Sequence, residues 1–486
     1  MLRLFSHYVS AKLLLLIALD SLILGASIDW AFSYHLQALA EPLSPAVYAA
    51  SAAVELLLVV VMLIVMSGMG LYEPDIVQHV RSAVLRLAIA GAVGGAATVL
   101  VMAIVSPSFV PLRAIFSGSV LALVSSGALR WALSRWAALG SFKPRVLVLG
   151  NGSGAAKLAE LAQRHRNQEV VGYVECGAAP TERVPLPRLL PASGESLAAL
   201  AEKYAIDHIV VAVKDRRGGA LPVTDLLDCR LRGVRVNDLS TFFEREHRQV
   251  LLESLTPGWM VFGDGFRQGL VRTMVKRLFD IGVSMALMIV TLPIMALAAL
   301  CIVVESGRPF LYRQERVGEG GRTFYIYKFR SMRVEAERDG TPRWAGANDD
   351  RITRVGRFIR KTRIDELPQV FNVLKGEMSF VGPRPERPYF VDRLAEQIPY
   401  YGLRHSVKPG ITGWAQVSYT YGASVEDAIE KLQYDLYYVK NHTLFLDLVI
   451  LAATIEVVLW GSGSGAQPAP PITAAVHLKS RTVQAK

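Results

Sequence analysis

Four apolar runs occupy the first third of the chain, near Leu13 to Ile28, Val47 to Met69, Val84 to Val105 and Arg113 to Leu133, each about as long as a bilayer is thick. Soluble proteins also bury apolar helices. Four such runs in succession, joined by short connections and almost free of charge, are instead read as four membrane spans. Composition agrees: 52% of the residues are hydrophobic and the mean hydropathy is +0.32. The first run carries Arg3 and Lys12 ahead of it but reaches Asp29 without a clean small-residue cleavage site, so an uncleaved first span is expected.

Basic residues set the orientation. Arg3 and Lys12 precede the first span, Arg81 and Arg86 flank the second connection, and Arg130, Arg135, Lys143 and Arg145 are assigned to the stretch after the fourth, whereas the connection from Tyr34 to Ala46 has neither Lys nor Arg. The N-terminus and everything beyond residue 140 should therefore face the cytoplasm, in a multi-pass membrane protein. A net charge of +11 could suit nucleic acid, but basic stretches beside apolar segments favour a membrane surface and phosphorylated substrates, and no nucleic-acid partner is expected. Cys176, Cys229 and Cys301 are far apart and show no metal or disulfide spacing.

After Pro144 the pattern changes. A short β-branched strand, Arg145 to Leu149, runs into Gly150-Asn-Gly152-Ser-Gly154-Ala155 and an alanine-rich helix, a Rossmann-like opening. Strand Glu169 to Val174, helix Ser196 to Tyr204, strand His208 to Val213, helix Leu221 to Leu231 and strand Val234 to Val236 follow, which predicts a parallel sheet between helices. Glu175 stands near the position of a ribose-binding acid. No Tyr-x-x-x-Lys pair accompanies it, so a regulatory or structural domain is favoured over a working dehydrogenase.

Phe242 to Phe266, with Trp259, Met260, Phe262 and Phe266 among glycines, reads as a linker that touches the membrane interface or packs as an ordinary loop. Beyond it, Leu278 to Val304 is long enough to span, with Pro293 near its middle. Arg267, Arg272, Lys276 and Arg277 precede this run, and Arg308, Arg313, Arg316 and Arg322 follow it, so both flanks look cytoplasmic. A re-entrant helix bent at Pro293 is expected.

From Gly307 to Arg363 there are fifteen Lys or Arg residues against seven Asp or Glu. Lys328 and Arg330 are candidate phosphate or membrane-surface contacts, arginine offering a planar fork for phosphate oxygens. Arg351, Arg354, Arg357 and Arg360 recur three apart as on one helical face, and Ile364-Asp365-Glu366-Leu-Pro368 follows. Proline is tolerated in a first helical turn, which places Asp365 at or near an N-cap with Glu366 just inside, where two neighbouring carboxylates converge most easily. A divalent metal could bridge such a carboxylate to a diphosphate. In Gly382-Pro383-Arg384-Pro385 two prolines restrain the chain around one arginine, suited to holding an anion.

Together these stretches resemble the bacterial sugar transferases, the polyprenyl-phosphate hexose-1-phosphate transferases also called monotopic phosphoglycosyl transferases. The resemblance runs from about Lys276 to Gly465, through Lys276-Arg-Leu-Phe-Asp280, Tyr327-Lys-Phe-Arg-Ser-Met332, Asp365-Glu366, Gly382-Pro-Arg-Pro385 and Lys408-Pro-Gly-Ile-Thr-Gly-Trp-Ala-Gln416. Glu377 stands where many relatives have Asp, a change that keeps the charge. The segments before 276 look like the larger members of that family. The resemblance implies a ping-pong reaction between a UDP-sugar and polyprenyl (undecaprenyl) phosphate, initiating exopolysaccharide or capsule synthesis. In it Asp365 is nucleophile and magnesium ligand, Glu366 base or metal-site partner, and Arg360 and Arg384 bind phosphate oxygens. A membrane sensor, or a tethered epimerase or dehydrogenase centred on Gly150 to Gly154, remains open.

The expected organisation is a four-helix transmembrane region (1–140), a Rossmann-like α/β domain (141–240), a linker (241–270), an α-rich α+β monotopic catalytic domain with its re-entrant helix (271–465) and a flexible tail (466–486). In the final apolar run, Leu444 to Trp460, Asp447 and Glu456 would be costly in lipid, which argues for a helix at the interface or packed on the domain. The oligomeric state is open, a homodimer being one option.

Overall fold

Each apolar run of the first third folds into one helix: α1 (Ala11–Gln37), α2 (Pro45–Gly68), α3 (Val80–Val105) and α4 (Leu112–Ala137), preceded by a short antiparallel hairpin of β1 (Leu2–Leu4) and β2 (His7–Val9). The computed structural model describes residues 2–4, 7–9, 11–37, 45–69, 71–72, 80–105, 112–137, 144–164, 169–176, 189–190, 195–213, 221–255, 269–333, 351–419 and 424–460. Windows 14–35, 51–68 and 112–133 are long and apolar enough to cross a membrane, and α3 adds a shorter apolar stretch, Arg86–Val101. Leu24, Ile28, Phe32, Leu58, Met62 and Met66 pack inward, while Leu22, Leu56, Ile64, Phe116 and Val124 face out, as lipid-facing positions do.

One sequence assignment changes here. Arg130 does not flank the bundle but lies inside it, donating from Nη1 and Nη2 to the two oxygens of buried Asp20 at 2.9 and 2.8 Å, with Ser126 Oγ also donating to Asp20. Each buried charge there has its opposite within contact, which is how ionisable groups persist among apolar helices.

The middle region is a five-stranded parallel sheet in the order β5 (Leu189–Leu190), β4 (Glu169–Val174), β3 (Arg145–Leu149), β6 (His208–Val211), β7 (Arg235–Asp238). Helices α5 (Ser153–Arg164), α6 (Leu197–Lys203), α7 (Val223–Leu231) and α8 (Leu239–Glu246) accompany the strands. Central strands buried on both faces must be apolar throughout, and Val146, Leu147, Val148 and Leu149 are fully buried in two cores, one on each side. Helix α8 overruns the expected boundary at 240: Phe242 and Phe243 pack on the sheet, while Val250 packs into the C-terminal core. The linker assigned to 241–270 is thus, where described, a packed seam. Trp259, Met260, Phe262 and Phe266 lie outside the described residues.

The C-terminal region is built on α9 (Leu270–Ser306), a 37-residue helix that carries Pro293 and is the fourth candidate span by length and composition. An antiparallel hairpin follows, β8 (Leu311–Val317) and β9 (Thr323–Phe329), then α10 (Arg354–Lys361), α11 (Val370–Lys375), β10 (Ser379–Val381), α12 (Pro388–Gln397), β11 (Gly410–Thr412), α13 (Trp414–Ser418), α14 (Val425–Asn441) and α15 (Leu444–Trp460). Strands β10 and β11 pair in parallel.

Both acids of α15 are buried and paired. Asp447 meets Lys276 Nζ of α9 at 2.6 Å and accepts from the Tyr438 hydroxyl at 2.7 Å. Glu456 Oε1 accepts from Arg86 Nη1 of α3 at 2.7 Å, so α15 packs on the domain and against the membrane bundle at once. Removing one partner of a buried pair leaves an uncompensated charge, which costs about 3 kcal/mol or more. Lys276→Met is accordingly expected to lower stability by about that amount in denaturant unfolding of the detergent-solubilised protein; a loss below about 1 kcal/mol would mean that Asp447 does not depend on it.

Candidate active site

The chain leaves α10 through Arg363, whose φ of 61° and ψ of 12° turn it sharply into a 3-10 turn, Ile364–Gln369. Arg363 takes the cap position, and Asp365 and Glu366 sit just past it in the first turn. Pro368 is tolerated because so short an element has few internal hydrogen bonds to lose.

The two neighbouring carboxylates stand in different surroundings. Glu366 is 9% exposed and turned inward, its Oε1 accepting from Arg384 Nη2 at 2.7 Å and Lys328 Nζ at 2.8 Å, with Arg363 Nη1 at 3.9 Å from Oε2. Asp365 stays half-buried. Burial alone would raise Glu366, but Arg384 and then Lys328 outweigh it and hold the carboxyl well below its ordinary range. Asp365 moves the other way: burial and then the Glu366 charge push it up to about 6, against the pull of Lys328, Arg360 and Arg363. Burial also pushes Lys328 down, an effect that the Glu366 charge partly offsets.

Arg384 reaches Glu366 from a backbone held at three consecutive carbonyls. Gly410 N–H donates to Pro383 O at 3.0 Å, Arg404 Nη2 to Arg384 O at 2.9 Å, and Arg316 Nη1 to Pro385 O at 2.9 Å. Arg404 is itself fixed by buried Asp435 at 2.8 Å and by the Tyr401 hydroxyl at 2.6 Å. The segment passes β11 so closely that a Cβ at Gly382 would meet the Lys408 carbonyl and one at Gly413 the Gly382 carbonyl, which reserves both positions for glycine.

Of the predicted site residues, Asp365, Glu366, Lys328 and Arg384 come together, and Arg360, half-buried on the last turn of α10, lies near enough to act on Asp365. Arg330 is given another task. Its Nη2 donates to Ser306 O, Ser306 Oγ and Gly307 O at 2.7 to 2.8 Å, capping the C-terminal end of α9. The nearby Glu305 carboxylate accepts from the first N–H groups of α10, Arg354 at 2.8 Å and Val355 at 2.9 Å. Sequence reasoning passed over Arg404 and Asn372. Asn372 Nδ2 donates to Tyr325 O and Glu377 Oε2, each at 2.7 Å, and its Oδ1 accepts from Tyr327 N–H at 3.1 Å, locking α11 to β9. No local pattern marks either residue, because the partners that give them these tasks, Arg384 and Asp435 for Arg404 and β9 for Asn372, are distant in sequence.

A partly buried carboxylate with raised basicity can act as a nucleophile toward a phosphorus, and the cations beside it, Lys328, Arg360 and Arg363, can hold the charge of the phosphorus oxygens. Carbodiimide modifies protonated carboxyls, so labelling of Asp365 in metal-free buffer, followed by peptide mass spectrometry, should reach half-maximum near pH 6. Glu366→Gln removes the negative neighbour and should move that midpoint down; an unmoved midpoint would sink the electrostatic account.

The sequence profile described as bacterial sugar transferase matches residues 271–461. A UDP-N-acetylgalactosamine-undecaprenyl-phosphate N-acetylgalactosaminephosphotransferase of Aeromonas hydrophila is 48% identical over 190 residues, 39% of this chain and 45% of that protein. A UDP-glucose:undecaprenyl-phosphate glucose-1-phosphate transferase of Escherichia coli (strain K12) is 39% identical over 189 residues, 38% of this chain and 40% of that protein. An uncharacterized sugar transferase of Bacillus subtilis (strain 168) is 40% identical over 193 residues, 39% of this chain and 89% of that protein. The chain thus spans less than half the length of the first two relatives and most of the third.

Proposed function

The chain belongs to the bacterial sugar transferase family, and on that premise we propose that it moves a hexose 1-phosphate from a UDP-sugar to polyprenyl (undecaprenyl) phosphate in the inner membrane. The observation that carries this reading is the pairing of half-exposed Asp365 with a Glu366 clamped by Lys328 and Arg384. Relatives named for N-acetylgalactosamine and for glucose make the sugar itself a matter for experiment.

In the first displacement a carboxylate oxygen of Asp365 bonds to the phosphorus that carries the sugar, and the bond from that phosphorus to the bridging oxygen breaks. UMP leaves with the electron pair. In the second, an oxygen of the lipid phosphate attacks the same phosphorus and Asp365 departs as a carboxylate. Neither attacking group carries a proton that must be removed, so no general base is required. Glu366, whose basicity Arg384 and Lys328 suppress, instead keeps both cations beside the reacting phosphate, and Arg360 and Arg384 meet its oxygens.

Asp365 also fits a magnesium ion, because magnesium is usually held by one or two carboxylates together with substrate phosphates. Among the described residues no cluster of three or more His, Cys, Asp or Glu forms an all-protein cage, so the diphosphate would complete the coordination. When bound, the ion neutralises diphosphate charge.

Re-entry of α9 accounts for its contacts. Asp280 accepts from Ser379 Oγ and Phe380 N–H, while Met295, Ala298 and Ile302 pack on Phe329 and Ile359 of the same domain. The 22 residue steps from Asp280 to Ile302 rise about 33 Å as a straight helix, more than the roughly 30 Å hydrocarbon layer, and one domain could not hold both ends across it. Leu278, Met285, Ile289, Leu292, Leu297 and Leu300 remain exposed for lipid. These contacts support a helix that enters and leaves on one side, and its basic flanks favour the cytoplasmic one, where a soluble nucleotide sugar and a lipid phosphate can meet.

Wild type incubated with UDP-N-acetylgalactosamine, UDP-glucose or UDP-galactose and magnesium should release UMP in a lipid-phosphate-dependent manner with one of them. Without lipid phosphate it should carry a phosphosugar adduct on Asp365 by mass spectrometry. Asp365→Asn should lose the adduct and about a thousandfold or more of the turnover; persistent lipid-dependent turnover would remove Asp365 as nucleophile.

A further inference from the structure

The glycine turn after β3 shares no residue with the Asp365 site. The chain leaves β3 toward β4 and β5 on one side and comes back to β6 on the other, so the C-terminal ends of β3 and β6 bound the crevice where open parallel sheets receive ligands. The turn is pinned on both flanks, Gly150 N–H donating to Val174 O at 2.8 Å and Ala212 N–H to Leu149 O at 2.7 Å. Gly150 has a φ of +119° and passes the Ala212 carbonyl where a Cβ would crowd it.

Gly152 is different. A Cβ there would meet nothing within 4 Å, so open space lies directly before the 12-residue helix α5, whose first N–H groups have no intrahelical partner. Asn151 supplies a second and independent observation. It is only 8% exposed, and its Nδ2 donates at 3.2 Å to Glu175 Oε1, so the side chain lies across the C-terminal ends of β3 and β4. Its Oδ1 is buried and has no hydrogen-bond partner among the described residues. An unpaired buried acceptor costs about 1–3 kcal/mol, a cost that a ligand donor would remove.

We propose that this crevice binds a nucleoside diphosphate or a dinucleotide, with its phosphates at Gly152 and the start of α5, a ribose hydroxyl on Glu175, and a ligand donor on Asn151 Oδ1. The site shares no residue with the Asp365 centre and does not depend on the transferase reading. Its occupancy has a route to the other half, because Lys157 of α5 meets Glu430 Oε1 of α14 at 2.8 Å.

Equilibrium dialysis of the full chain in lipid nanodiscs, with ADP, UDP and NAD as probes, tests the proposal. At least one probe should bind saturably in a manner that Arg384→Ala leaves unchanged. Gly152→Asp places a carboxylate where the phosphates would sit while offering the helix a good cap, so it should weaken binding about tenfold or more with the unfolding temperature kept or raised. Glu175→Gln should weaken binding of the same probe several-fold and shrink its advantage over the corresponding dideoxyribose analogue, which keeps the proposal decidable if Gly152→Asp folds poorly. Absence of saturable binding by all three probes at millimolar concentration overturns it. So does binding that Arg384→Ala abolishes, or that survives both Gly152→Asp and Glu175→Gln undiminished.

Discussion

The contact between Lys276 Nζ and Asp447 Oδ2, completed by the Tyr438 hydroxyl, fastens an otherwise lipid-facing helix to the body that carries the chemistry. A long helix with an apolar outer face would have little reason to stay in one register on a globular domain, since hydrophobic contact is non-directional. Directional groups supply the register. Asp280 takes the Ser379 hydroxyl and the Phe380 N–H, and Arg277 donates to the Val373 and Leu374 carbonyls at 2.6 and 2.7 Å, closing the end of α11. Strand β10 is thereby set, its partner β11 follows, and the glycine crossing between them aims Arg384 at Glu366.

At the end of that chain of constraint, two adjacent acids have opposite characters although they differ by one methylene. Burial acts on both; the difference is where the cations stand. Lys328 and Arg384 contact Glu366 directly and leave Asp365 the less stabilised anion, so basicity that a pair could have shared is concentrated on one carboxylate. Such an arrangement requires rigid cations, and the rigidity comes from Arg404, Arg316 and Asn372, none of which touches either acid directly in the contacts described.

Features with a local period or a local steric rule were legible in the sequence. Helices α1 to α4, the alternation of the middle region and the tightness of Gly382-Pro-Arg-Pro385 follow from runs, spacing and proline geometry. Asp447 and Glu456 were also legible as groups that lipid would reject, though their partners were not, because Lys276 and Arg86 lie 171 and 370 residues away. The hold of Arg330 on the end of α9 was hidden for the same reason, its partners Ser306 and Gly307 lying 24 and 23 residues away. Arg130 was assigned to a flank by counting charges, whereas only the packing of α1 on α4 brings Asp20 to it. The clamp on Glu366 was not legible, because Lys328 and Arg384 reach it from 38 and 18 residues away.

Lys328 and Arg330 are two residues apart at one end of β9, and they hold different things: the first grips Glu366, the second the terminal carbonyls of α9. A short, stiff piece of sheet thus ties the end of that helix to the clamp, with no loop between the two grips, so that the position of one fixes the position of the other.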